Sequence, residues 1–136
     1  RTDVYQSDWL LRQIEMMGQA FKRLLQALRE RRPEDAVEIS REAIAELLDA
    51  DPDLLEVLSP DGLVTMLSAG GTLDVFRAHM LAELLAARAD AHDELGHTEA
   101  AAADRRRSRT LLEAALPLAE GADAERIAEV LGWLGE

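Results

Sequence analysis

The stretch from Asp8 to Arg32 constrains this chain most. Its apolar residues Leu10, Ile14, Met17, Phe21, Leu24 and Leu28 recur at alternating steps of four and three. On a helix, that spacing lines them along one side. So long a row has to be covered, either by helices of the same chain or by a second copy of the same helix. The pattern predicts a scaffold of paired helices.

Composition agrees with a helical core. Hydrophobic residues make up 48% of the chain and aromatics only 4%, so the interior must be built chiefly from Leu and Ala. Both are strong helix formers, as are the abundant Glu and Arg. No run of β-branched and aromatic residues alternates with period two, as a half-buried strand would. The expected fold is all-α, and 136 residues fit a single helical domain spanning 1–136.

Punctuation divides the chain into helices. Asp3 or Ser7 can cap the first helix, and Pro33 stops it while opening the second, with Val37, Ile44, Leu47 and Leu48 inward. So short a connection predicts an antiparallel hairpin. Asp51-Pro52 and Ser59-Pro60 each pair a capping residue with a proline at the first helical position, which predicts two short helices. Their inward residues are Leu54, Leu55 and Leu58, then Leu63, Val64, Met66 and Leu67. Gly70-Gly71 ends this connector and Thr72 can cap a long helix over 73–95, buried through Leu73, Met80, Leu84, Ala91 and Leu95. Gly96 suits a left-handed helix end and Thr98 a new cap. The sixth helix turns Ala101, Ser108, Leu111, Leu112 and Ala115 inward and should kink or end at Pro117. A last helix from Asp123, with Ile127, Val130, Leu131 and Leu134, is expected to cap the core.

Charge narrows the function classes. Fifteen basic against 27 acidic residues give a formal net charge of -12. Such a surface repels nucleic-acid phosphates and anionic membranes, so neither is expected as a partner. No apolar run approaches the length of a membrane span, and the opening residues do not read as a signal peptide, so a cytoplasmic location is expected. With no cysteine, disulfides and Cys-ligated metals are excluded.

Two resemblances follow from particular residues. Ala36 and Ala43 correspond to Ala101 and Ser108 at a common offset of 65, where small side chains let helices approach closely. Ala89, Gly96, Ala101 and Ser108 fall where a tetratricopeptide unit wants small residues and glycine, so the second hairpin is similar to one such unit. Leu85, Arg88 and Arg105 depart from that pattern, and Pro117 comes late. Separately, Asp8-Trp9-Leu10-Leu11-Arg12-Gln13-Ile14-Glu15 resembles the opening of a family of small bacterial all-helical proteins of unknown function. Asp53-Leu54-Leu55-Glu56 and Ser59-Pro60-Asp61 are similar to a later landmark of that family. The resemblance implies no activity and no functional residues.

Candidate chemistry is sparse. Asp8, Arg12 and Glu15 lie on adjacent turns and form either a polar hook for a partner or an intrahelical ion-pair ladder. His79, Glu83 and Asp90 share a helix face, with Asp93 and His97 near its end. No second helix supplies the His or Glu-x-x-His that a bundle metal site needs, so neither metal nor cofactor is expected. His92 borders the apolar side, one turn beyond Arg88, as a partly buried imidazole or a titrating group in a groove. Arg105, Arg106, Arg107 and Arg109 splay over more than one face and should pair with the chain's own acidic helices, Arg109 with Glu113. Neither a phosphate-cradling loop nor a nucleophile with its base is found.

The sequence therefore predicts a non-catalytic protein-interaction module of helical hairpins, associating with a protein partner or with itself through the first helix. The alternative is a small-molecule or peptide binder using a pocket between the first and fifth helices. The residues predicted to make contact are Trp9, Arg12, Glu15, Arg88 and His92.

Overall fold

The structure, a computed structural model, describes the backbone of residues 2–135 and the side chains of residues 8–135. Those residues form seven α-helices and no strand: α1 (Thr2–Arg29), α2 (Pro33–Leu48), α3 (Leu54–Val57), α4 (Pro60–Met66), α5 (Val75–Glu94), α6 (Thr98–Ala115) and α7 (Gly121–Leu134). The chain is all-α, as its composition predicts.

The helix ends have identifiable causes. α1 already runs at Thr2; the side chains of Asp3 and Ser7, the expected caps, lie outside the described residues. It ends at Arg29, short of Pro33, because Arg31 turns into the left-handed region with φ 59°. The amides of Arg31 and Arg32 then reach back to the carbonyls of Leu28 and Ala27. Pro33 opens α2, and Ser59 caps α4 by accepting the Gly62 amide at 3.0 Å. Pro52 does not open a helix. The Asp51 carboxylate accepts the Asp53 amide at 2.9 Å, making a turn that delays α3 to Leu54. The cap of α5 is Asp74 rather than Thr72: its carboxylate accepts the Arg77 amide, and Leu73 precedes the helix. Gly96 adopts φ 80°, as a left-handed helix end requires. α6 stops at Ala115, and Pro117 sits in a short 3-10 turn, Leu116–Leu118.

α5 is the central element, packing on α6, α2 and α1. Buried around much of its circumference, it contributes Ala78, Leu81, Ala82, Leu84, Leu85, Ala89 and Ala91 to the interior. Small residues seat the second hairpin: Ala89, Ala101 and Ser108 are fully buried, and the Ser108 hydroxyl donates to the Ala82 carbonyl at 2.7 Å. Ala36 and Ala43 are buried likewise in α2. α7 closes the core with Ile127, Val130 and Leu134.

The first-helix row is covered only in part. Met17 and Leu24 are buried, and Phe21 and Leu28 half-buried, against α2 and α5. Leu10 and Ile14 are exposed, beside Trp9 and Leu11. Helices of the same chain therefore cover the carboxy-terminal part of the row and leave its amino-terminal part open.

Candidate docking groove along α1

α1 carries a second apolar row, rotated away from the one that enters the core. Leu11, Ile14, Gly18, Phe21 and Leu25 follow steps of three, four, three and four. Leu11 is 58%, Ile14 47% and Leu25 50% exposed, well above what a buried row would show. Beside Ile14, Gly18 and Phe21 runs a groove of about 530 Å³ between α1 and α5. Val75, Phe76 and Met80 form its opposite wall, and His79, Glu83 and Asp123 its polar edge.

The polar edge is pre-arranged. Buried His79 shares a hydrogen bond of 2.6 Å with Glu83 one turn on. Arg126 of α7 donates to both Glu83 oxygens, at 2.7 and 3.1 Å. Burial alone would raise the Glu83 pKa. The hydrogen bonds from His79 and Arg126, with the Arg126 charge, outweigh it and lower the pKa from 4.5 to about 2. Glu83 is thus a fixed anion joining α5 to α7.

The sequence candidates fall in two separate places. Trp9, Arg12 and Glu15 lie on the exposed part of α1, where the Arg77 guanidinium sits 5.5 Å over the Trp9 ring. The ion-pair ladder of Asp8, Arg12 and Glu15 is not made; none of the three has an ion pair among the described residues. Arg88 and His92 are absent from the α1–α5 groove and face α6 instead. A groove runs between α1 and α5, but Trp9, Arg12, Arg88 and His92 do not line it.

Arg88 is buried in a bidentate pair with Asp104, both contacts 2.8 Å. Asp104 is itself 1% exposed. It also accepts from Arg107 at 3.3 Å, and His92 lies 3.9 Å away. Burial depresses the His92 pKa, opposed by Asp104 and assisted by the Arg88 and His97 charges. Asp104 escaped the sequence reading because it precedes a run of arginines. Its signal was its place in the row Ala101, Asp104, Ser108 and Leu111, spaced three and four on the buried face of α6.

The arginine cluster is largely engaged with the chain itself. Arg105 bridges Asp90 at 2.9 Å and Asp93 at 2.6 Å, and Arg107 holds Asp104. Arg109 donates to the Leu134 carbonyl, not to Glu113, tying α6 to the end of α7. The metal-type residues are dispersed: His79 and Glu83 face Arg126, while Asp90 and Asp93 face Arg105.

No described helix is long and apolar enough to cross a membrane. Compared with protein-family models, curated proteins and solved structures, the chain shows no match to any.

Proposed function

We propose that this chain is a non-catalytic protein-interaction module whose contact surface is the outer face of α1. The observation that carries the reading is the exposed row Leu11, Ile14 and Leu25 along a helix whose opposite side is anchored in the core. Scattered surface leucines need no explanation, but a contiguous apolar row beside a groove marks an interaction site. Glu15, and beyond it Arg12, flank the row and keep their role in this reading. Trp9 lies on the opposite side of α1, in line with buried Ala27 and beneath Arg77 of α5, and leaves it. Arg88 and His92 leave it too, because their partners lie within the chain. The acidic surface and the sequence features that predict a cytoplasmic, bacterial protein without nucleic-acid or membrane partners belong to the same proposal.

The test replaces Leu11 and Ile14 together by Glu. Both are exposed, so helicity and melting should be retained. Wild-type protein should associate, with itself or with a protein captured from the host lysate, and the double variant should lose that association. Equal association by both proteins would overturn the proposal.

The groove itself favours one alternative, a ligand with an apolar chain and a polar head placed at His79. About 530 Å³ lined by Ile14, Met17, Phe21, Phe76 and Met80 is within the range of small-molecule sites. Mass spectrometry of gently purified protein would detect such a ligand, and a protein that carries none would count against it.

A further inference from the structure

The charges flanking the exposed row of α1 specify what covers it. Asp8, Glu15, Lys22 and Arg29 are spaced by seven, so they form one line beside the row, and their signs run minus, minus, plus, plus. All four are exposed and none has an ion pair among the described residues. Such a line complements itself when two copies of α1 run antiparallel: Asp8 meets Arg29 of the second copy, and Glu15 meets its Lys22. In a parallel pair, like charges would meet at every position, which is unfavourable.

Gly18 adds an independent argument. It lies in the interior of α1 without a positive φ, and an added Cβ would meet nothing within 4 Å. A helix-interior glycine is unfavourable relative to alanine, and nothing within the chain requires one here. An antiparallel pairing of the apolar rows themselves supplies the reason. Centred between Gln19 and Ala20, it places Ile14 opposite Leu25 and Gly18 opposite Phe21 of the second copy, so the glycine notch receives a large aromatic ring. It leaves each charge pair two residues, about 3 Å along the axis, out of level, within reach of these side chains.

We propose that α1 pairs with α1 of a second copy, antiparallel, about a two-fold axis between Gln19 and Ala20. This deepens the interaction reading above, on which it rests, by naming the partner as the chain itself. The two-fold makes each contact occur twice, as an isologous interface requires.

The absence of cysteine gives a clean test. Chains carrying Glu15→Cys are mixed with chains carrying Lys22→Cys and mildly oxidised at a concentration where sedimentation detects association. The mixture should form the mixed disulfide. Neither variant alone should cross-link, since like positions are then about 7.5 Å (Lys22) and about 13.5 Å (Glu15) apart along the axis, beyond disulfide reach. Cross-linking of each variant alone through its own position would overturn the antiparallel register. In a second arm, Glu15→Lys should weaken dimerisation about tenfold and Glu15→Lys with Lys22→Glu should restore it, because each reversal touches two pairs. A strict monomer at high concentration overturns the self-pairing. If the Leu11 and Ile14 substitutions still abolish binding of another protein, the docking surface stands and only its occupant was wrong.

Discussion

Asp104 concentrates more of this protein's internal electrostatics than any other carboxylate described. Two guanidinium groups donate to it in a nearly water-free seam between α5 and α6, and Arg88 alone supplies two bonds of 2.8 Å. Burying such charges is unfavourable unless each remains paired, so removing one partner matters more than the pair's net contribution. Asp104→Asn keeps the shape, leaves Arg107 without a counter-ion and leaves Arg88 only the exposed Glu56 carboxylate at 3.6 Å. The expected loss is about 3–5 kcal/mol, read as an earlier midpoint in denaturant unfolding. A loss below about 1 kcal/mol would mean that the seam admits water and that the network is peripheral. The sequence displayed Asp104 at the correct spacing for a buried face, yet a carboxylate followed by three arginines reads as surface. Only the approach of Arg88 from the neighbouring helix makes the burial tolerable.

At the scale of elements, α1 was legible as a helix and only partly legible as a packing unit. Its heptad-like row was plain, but which part of that row meets α2 and α5 depends on where those helices lie. The outer row was hidden because Ile14 and Phe21 belong to both faces. α5 was harder still. A helix surrounded by α1, α2 and α6 has no single apolar side, so Leu84 and Ala91 were predicted inward while Leu81, Leu85 and Ala89 were not. Of the residues chosen for the candidate site, Arg12 and Glu15 flank the open face and Trp9 is exposed on the other side of α1, whereas Arg88 and His92 belong to a charged pattern that is structural. Gly18 tests the α1 reading at this scale. Gly18→Ala should stabilise the dilute monomer by about 0.5–1 kcal/mol, raising its melting temperature by a few degrees. The same change should weaken association, because the notch is then partly filled. Stabilisation with undiminished association would remove the glycine from the interface argument.

For the whole molecule, Glu83 links stability to pH. Its pKa in the folded chain, about 2, lies below the ordinary value of 4.5. A carboxyl shifted in that direction contributes stability that is complete above about 4.5 and lost as the pH falls towards about 2. Most of the Glu83 side chain is shielded from solvent, and the linkage is worth on the order of 2–3 kcal/mol. Glu83→Gln should therefore be less stable than wild type at pH 6, with the difference narrowing as both are titrated to pH 2. Chemical denaturation across that range measures it, and a constant difference would show that Glu83 is not ionised specifically by the fold. The bond at stake is the one by which α7 is held on α5, so acid should release the closing helix before the paired hairpins.

The two tryptophans give the molecule a pair of built-in optical reporters. Each ring lies beneath a guanidinium: Trp9 under Arg77 near the start of α5, and Trp133 under Arg126 on α7. Trp133 shares a pocket with Asp90 and Asp93, at the other end of α5, so the two probes sense regions about 20 Å apart along that helix. Emission from one follows the contact between the start of α1 and α5, and emission from the other follows the seating of the last helix. An event that alters a single signal thereby declares which end of the molecule it has touched.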